Sequence, residues 1–173
     1  MKTKRLLTIE HKTRKPTRLK EYNYSSDGTY FITICSKDRK PIFSRVVGDG
    51  VLDIPKIILS EYGAVIDSQI NLIDNHYEYL NIDNYVVMPN HIHILISVYN
   101  NGMSRTLSPT NDIIPTYVST LKRFVNKEVG ENIFQRSYND HIIRNERDYL
   151  EHYTYIENNP IKWEYDELYC DIL

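Results

Sequence analysis

Three features that would place a protein in a familiar class are scarce or absent here. The 173 residues include only two cysteines. Cys35 and Cys170 lie far apart in the chain, without the close spacing of metal-binding cysteines, and two thiols are too few for a disulfide framework. No apolar run approaches the ~20 residues of a membrane-spanning helix, and the N-terminus has no apolar segment of the signal-peptide kind. We therefore expect a cytoplasmic protein in a reducing compartment, with no membrane partner.

A general excess of positive charge, which marks many nucleic-acid-binding proteins, is also missing. The chain has 21 lysines and arginines against 23 acidic residues, a formal net charge of −2. The distribution is uneven, because residues 1–24 form a basic arm and the C-terminal residues are acidic. Arg14 and Arg18 in this arm are candidate phosphate contacts, although a solvated terminus without such a role would have the same composition.

The rest of the chain reads as one domain. It contains no internal repeat, low-complexity segment or linker, and its length and apolar content suit a single core. We assign this domain to residues 25–165 and a short acidic tail to residues 166–173.

Hydrophobic periodicity predicts seven elements in this domain. Their order is strand, helix, strand, strand, helix, strand, helix, near residues 29–35, 55–73, 77–87, 91–98, 117–129, 133–143 and 145–159. Pro55 is expected to begin the first helix. Asn145 is expected to cap the last helix, which ends before Pro160. This order predicts an α+β fold, namely a ferredoxin-like antiparallel sheet with helices on one face, a site on the other, and a further helix at the C-terminus.

The most informative segment is Tyr85–Ile96, which reads YVVMPNHIHILI. Residues two apart in a strand point to the same side, so His91 and His93 share one face while the isoleucines around them line the other. Two neighbouring imidazoles can hold one divalent transition-metal ion, and an additional oxygen ligand would admit manganese or magnesium. Two histidines on a half-exposed strand without any ligand are the alternative at this point.

The same segment resembles the Val-x-Met-Pro-Asn-His-hydrophobic-His stretch of single-tyrosine insertion-sequence transposases in the HUH endonuclease superfamily. More narrowly, it resembles the REP-associated tyrosine transposases. Further matching pieces are FQRSYNDHIIRN at 134–145, YIENNP at 155–160 and GTYFIT at 28–33. These pieces occur in family order and extend over most of the chain.

The resemblance implies an enzyme that nicks single-stranded DNA beside a hairpin and transfers the strand through a covalent 5′-phosphotyrosine. Tyr155 would be the nucleophile, and His91, His93 and Asn159 would hold a divalent metal, Mg or Mn, that polarises the scissile phosphate. Tyr155 and Asn159 are four residues apart and so share one face of the catalytic C-terminal helix. Tyr153 is a rival nucleophile, because an acidic residue follows it at the same spacing.

The implied partner is single-stranded DNA with a hairpin, bound by a monomer or a homodimer. Candidate DNA contacts outside the arm are Lys122, Arg123, Arg136, His141 and Arg144, since cationic side chains match phosphate. A hydrogen-bonded structural role is the alternative for His141. A solvated helix face is the alternative for the two α-helical cations.

Two other functions would use the same residues. One is a hairpin-binding protein that has lost cleavage, and the other is a metal-dependent hydrolase in which the histidines activate water. A hydrolase should tolerate Tyr155→Phe, whereas a covalent strand transferase should not. His152, one turn before Tyr155, is a candidate for assisting proton transfer.

Overall fold

The computed structural model describes residues 27–48, 55–74, 77, 79–99 and 113–170. Arg14 and Arg18 lie outside the described residues, together with the whole basic arm. The elements in chain order are β1 (Gly28–Cys35), β2 (Ser44–Val47), β3 (Lys56–Leu59), α1 (Glu61–Asp74), β4 (Leu80–Val87), β5 (His91–Val98), α2 (Ile113–Val129), β6 (Asn139–Ile143) and α3 (Glu146–Asn158). Short 3-10 turns follow β1 at Lys37–Arg39 and α3 at Trp163–Tyr165. None of the helices described is long and apolar enough to cross a membrane.

The central sheet has four strands in the order β4-β5-β1-β6, and each neighbouring pair is antiparallel. Helix α1 lies between β1 and β4 in the chain, and α2 between β5 and β6. This combination of chain order and sheet order is the ferredoxin-like arrangement. The predicted fold class is therefore confirmed.

The two faces of the sheet carry separate apolar clusters, because side chains alternate along each strand. On one face the isoleucines of β1 and β5 pack beneath α1 and α2; they are Ile32, Ile34, Ile92, Ile94 and Ile96. On the other face Leu95 of β5 and Phe31 of β1 pack with Ile156 of α3 and with Trp163. Helix α3 and the turn after it therefore cover the face that carries the two histidines.

The segment around Pro55 differs from the prediction. The helix expected from Pro55 begins only at Glu61, and Lys56–Leu59 forms strand β3 instead. This strand pairs with β2, the element before it in the chain, in a two-stranded antiparallel ribbon, so strand pairing decided its conformation. The side chain of Ser60 accepts the Gly63 N–H at 3.1 Å, which is the N-cap contact that starts a helix.

The predicted strand at 133–143 is also shorter than expected. Only Asn139–Ile143 forms β6, while Phe134 makes an isolated bridge to Ser36. Gly130 has a φ of 79°, a left-handed conformation that favours glycine and ends α2.

Helix α3 has the boundaries that its sequence indicates. The Asn145 side chain accepts the Asp148 N–H, and Asn159 is the C-cap residue, directly before Pro160. The predicted capping of this helix is thus confirmed. Ile156 is buried against the sheet, and this contact orients the neighbouring Tyr155 and Asn159.

Candidate active site

Strand β5 places the two histidines side by side on the face beneath α3. The ring centroids of His91 and His93 are 4.4 Å apart, and the two residues are 0% and 4% exposed. The Trp163 ring lies 5.8 Å from His91, and the Phe31 ring stacks on His93 at 4.9 Å. The half-exposed strand that the ligand-free alternative assumed is not observed, because α3 and the turn after it close over the two histidines.

Both imidazoles are held by their Nδ1 atoms. Asn90 donates through its amide nitrogen to the carbonyl of Leu168 at 2.7 Å, so its amide oxygen faces His91 and accepts from His91 Nδ1 at 2.8 Å. The Nδ1 of His93 is 2.9 Å from the hydroxyl of Thr33. The Nε2 atoms of both rings are buried without a hydrogen-bond partner among the described residues. For His91 the donation from Nδ1 leaves a free lone pair on Nε2.

Both rings are neutral near pH 7. Burial lowers the pKa of His91 to about 4. Burial, with a contribution from the neighbouring His91, also lowers the pKa of His93 well below its ordinary value of 6.5. The neutral imidazole is the form that binds a metal.

Asn159 has a buried polar atom without a partner, as the two histidines have in their Nε2 atoms. The residue is 2% exposed, and its Oδ1 has no hydrogen-bond partner among the described residues. An unsatisfied buried polar atom costs about 1–3 kcal/mol, so such atoms call for a specific explanation. Two imidazole nitrogens and one amide oxygen form a donor set that suits a divalent metal ion. The residues present therefore fit the metal that was predicted at this place.

Asp166 is a site residue that the sequence analysis missed. Single ligand atoms of His91, His93 and Asp166 all lie within 4.8 Å of one another. The sequence analysis placed Asp166 in an acidic tail, because no periodicity connects it to the histidines. Trp163, an aromatic residue in a polar stretch, could have indicated that this segment packs on the domain. Its buried ring packs against the sheet and so brings the chain after Pro160 next to the histidines.

Tyr155 lies beside the histidines and remains accessible to solvent. Its ring centroid is 5.2 Å from that of His93, and the residue is 42% exposed. Its hydroxyl donates to Asp166 Oδ2 at 2.7 Å. Partial burial, the hydrogen bond to Asp166 and the negative charge of that carboxylate raise the pKa of Tyr155 above its ordinary value of 10. In this arrangement the side chain is a protonated phenol.

The rival Tyr153 has different neighbours. Its ring stacks on Tyr149, with the centroids 6.1 Å apart. Glu157, the acid four residues later, accepts from Asn84 of β4 at 2.8 Å. Only Tyr155 of the two tyrosines contacts a ring of the histidine pair among the described contacts.

Two open depressions meet at Tyr155. A groove of about 830 Å³ runs along α3 and the segment after it, and a cleft of about 440 Å³ lies over Phe31, His93 and His152. Tyr155 and Asp166 line both of them. A substrate strand could therefore reach the Tyr155 hydroxyl from either side.

The chain is similar to known proteins in sequence and in fold. No protein-family model matches the chain. An uncharacterised protein of Haemophilus influenzae is 34% identical over 189 residues, which cover 99% of this chain and 100% of that protein. A second H. influenzae protein, provisionally named REP-associated tyrosine transposase, is 24% identical over 155 residues, 86% of this chain and 79% of that one. In sequence, the chain therefore resembles a REP-associated tyrosine transposase over most of its length.

A solved structure of a REP-associated tyrosine transposase bound to a REP hairpin has the same fold. Its TM-score is 0.61 at 21% identity, over 87% of this chain and 77% of that chain.

The DNA contacts predicted from the sequence fall into two groups. Arg136 and Arg144 are exposed near the two ends of β6, the edge strand, and His141 lies within it. His141 pairs in register with Phe31, so it is on the face that carries the site. Lys122 and Arg123 belong to α2, which covers the opposite face.

Lys122 also has structural partners. Its ammonium donates to the carbonyls of Gln135 at 2.8 Å and Ser137 at 3.1 Å. Burial lowers its pKa to about 8. The side chain therefore holds the segment that leads into β6, and a DNA contact by Lys122 stays a prediction.

His141 and His152 share one carboxylate, that of Asp148. His141 Nε2 lies 3.0 Å from Asp148 Oδ1, and His152 Nδ1 lies 3.2 Å from the same oxygen. His152 Nδ1 is also 2.8 Å from the Asp148 backbone carbonyl, so it is the donor. The rings stack with centroids 4.6 Å apart. This hydrogen bonding leaves His152 Nε2 as the free ring atom, and His152 lines the cleft next to Tyr155.

Proposed function

We propose that the protein is a metal-dependent transposase that nicks single-stranded DNA beside a hairpin and joins strands through a covalent 5′-phosphotyrosine. The observation that carries this proposal is a set of three buried atoms, on His91, His93 and Asn159, that have no hydrogen-bond partner among the described residues. They lie next to the solvent-accessible side chain of Tyr155. The relative solved with a REP hairpin supports hairpin DNA as the partner. A monomer or homodimer, acting in the cytoplasm, stays a prediction.

The metal would be Mg or Mn, held by His91, His93 and Asn159. Oxygen ligands favour these ions over metals that prefer thiolates. When bound, a divalent cation neutralises charge on the scissile phosphate and lowers the cost of forming a phenolate. This help is needed, because the free phenol has a pKa near 10 and the environment of Tyr155 raises it further.

In the proposed reaction, each bond that breaks is matched by a bond that forms. The Tyr155 oxygen loses its proton and attacks the phosphorus, the bond from phosphorus to the 3′ oxygen breaks, and that oxygen gains a proton. The product is a 5′-phosphotyrosine and a free 3′-hydroxyl. In the joining step a 3′-hydroxyl attacks the phosphotyrosine and restores the phenol. One phosphate ester replaces another in each step, so no external energy source is required.

A denaturing protein gel tests this proposal directly. The full chain is incubated with Mn²⁺ and labelled single-stranded hairpin DNA taken from the flanks of its own gene. Wild type should give a labelled protein band that survives denaturation, because the DNA is covalently attached. Tyr155→Phe should reduce the band below detection, since the only oxygen nucleophile of that side chain is removed. Tyr153→Phe, an exposed tyrosine in the same helix, is the matched control and should keep the band.

The other results identify the competing functions. Hairpin binding without any labelled band, in wild type and Tyr155→Phe alike, would indicate a binding protein without cleavage. Cut DNA without a covalent band, at equal rates in wild type and Tyr155→Phe, would indicate a hydrolase. Loss of the band in Tyr153→Phe only would identify Tyr153, and not Tyr155, as the nucleophile.

A further inference from the structure

The carboxylate of Asp166 is fixed in place next to the histidines. The 3-10 turn Trp163–Tyr165 precedes it, and the buried Trp163 ring anchors that turn against the sheet beside His91. The Asp166 backbone N–H donates to the Trp163 carbonyl at 3.1 Å. Its Oδ1 accepts the Leu168 N–H at 2.7 Å. The direction of the side chain is therefore set by local backbone contacts and by packing.

This carboxylate combines negative charge with room for one more partner. Tyr155 and Asn159 both donate to Oδ2, at 2.7 and 2.8 Å, and Leu168 donates to Oδ1. A carboxylate offers roughly four acceptor positions, so these donors leave one. An aspartate side chain ordinarily carries a negative charge at neutral pH.

We propose that Asp166 is a direct ligand of the divalent metal held by His91 and His93, and that the same carboxylate positions Tyr155 at that metal. This inference rests on the proposed function, because it assigns a further residue to the same site. It follows from the distances, since one atom from each of the three side chains lies within 4.8 Å of the others. An octahedral ion bonded at about 2.1 Å spans about 4.2 Å between opposite ligands, so small side-chain rotations would bring all three to one ion.

The assignment changes the chemical character of the site. Two imidazoles and an amide are neutral, whereas Asp166 adds one negative charge and a hard oxygen. A carboxylate ligand favours manganese and magnesium relative to a site with nitrogen ligands only. Because Oδ2 already accepts from the Tyr155 hydroxyl, the residue would connect the nucleophile to the ion. Asp166 is thus a metal ligand and a positioning residue for Tyr155.

Manganese binding provides a test that does not depend on cleavage. Free Mn²⁺ has a strong six-line electron paramagnetic resonance signal, and its loss on titration with the full chain reports the dissociation constant. Asp166→Asn keeps the size of the side chain and an oxygen acceptor but removes the charge, and should weaken Mn²⁺ binding about tenfold or more. Glu164→Gln is the matched control, because Glu164 is exposed in the same turn and loses the same charge. It should stay within about twofold of wild type, as exposed charges act weakly through solvent.

The outcomes separate this inference from the proposed function. Wild type that binds Mn²⁺ more tightly than His91→Ala, with Asp166→Asn equal to Glu164→Gln, would overturn the role of Asp166 and leave the proposed metal site intact. Wild type that binds no better than His91→Ala would overturn the metal site, and the role of Asp166 with it.

A second measurement covers the case in which Asp166→Asn does not fold. Wild type is labelled with ¹³C-aspartate, loaded with Mn²⁺ and studied by electron–nuclear double resonance. A ¹³C coupling of the size expected for a bonded carboxylate would support the proposal. The absence of such a coupling in Mn²⁺-loaded protein would overturn it.

Discussion

At the scale of single residues, the Asn90 side chain connects two parts of the site. Its amide oxygen accepts from His91 Nδ1, and its amide nitrogen donates to the carbonyl of Leu168. One side chain thus orients a histidine of the site and also fixes the chain segment that carries Asp166. Turn chemistry alone, which the Met-Pro-Asn sequence suggests, would not require either contact.

We expect Asn90→Ala to destabilise the protein by about 3 kcal/mol, because the buried Nδ1 of His91 and the half-buried carbonyl of Leu168 lose their partner, at about 1–3 kcal/mol each. Urea unfolding at pH 7 measures the change in the free energy of unfolding. Asn81→Ala is the control, since the Asn81 side chain is exposed and bonds only to Asp83 among the described contacts. The control should lose less than about 1 kcal/mol. Equal losses in the two variants would show that the buried contacts of Asn90 contribute little.

At the scale of elements, the junction between β6 and α3 depends on Asp148. Its carboxylate accepts the Arg144 N–H at 2.9 Å and contacts His141 of β6 and His152 of α3. The helix that carries Tyr155 is therefore joined to the edge strand through one charged group. Burial acts to raise the pKa of Asp148, but the Arg144 N–H and His141 outweigh it, and the pKa is lowered from 3.8.

This shift sets the pH range in which the Asp148 charge stabilises the protein. Because the pKa is lower in the folded state than in the unfolded state, the stabilisation is complete above the unfolded value of 3.8 and is lost as the pH falls through the folded value. We expect wild type to exceed Asp148→Asn by up to about 1 kcal/mol at pH 7, as for partly exposed ion pairs. The difference should shrink below pH 3.8.

Urea unfolding of both proteins at several pH values checks this prediction. Glu151→Gln is the control, because Glu151 forms an exposed ion pair with Arg147 in the same helix and should change stability by less than about 0.5 kcal/mol. A wild-type advantage that grows as the pH falls below 3.8 would contradict a lowered pKa of Asp148 in the folded state.

At the scale of the whole molecule, the site joins parts of the chain that are far apart in sequence. Strand β5 provides His91 and His93, the end of α3 provides Asn159, and the segment after it provides Asp166. A metal bound at this place would therefore hold the C-terminal part of the chain onto the sheet. Metal binding should appear as a gain in global stability.

We expect Mn²⁺ at 100 times its dissociation constant to stabilise the folded protein by about 2.7 kcal/mol, provided that the unfolded chain does not bind it. Thermal unfolding with and without Mn²⁺ gives the shift, and a chelator should reverse it. His93→Ala should show no shift. His141→Ala, which alters an exposed histidine outside the proposed ligand set, should keep it. Loss of the shift in His141→Ala but not in His93→Ala would place the ion instead at His141, Asp148 and His152, whose potential ligand atoms also lie within 4.8 Å of one another.

Much of this arrangement could be predicted from the sequence because its causes are local. The alternation of β5 put His91 and His93 on one face, and the spacing in α3 put Tyr155 and Asn159 on another single face. The capping of α3 by Asn145 and its end before Pro160 depend on neighbouring residues as well. These rules involve residues within one turn or one strand, and the structure agrees with them.

Only the tertiary structure decided the remaining features. Strand β3 was predicted as helix because its apolar residues continue the helical spacing of α1, whereas pairing with β2 decides its conformation. The histidines are buried because Trp163 returns to the sheet, and that return also brings Asp166 to Tyr155. No local pattern encodes a contact between residues separated by a whole domain, since such contacts depend on the packing of complete elements. The sequence thus determined the fold class and the individual ligand candidates, and packing decided which of them meet.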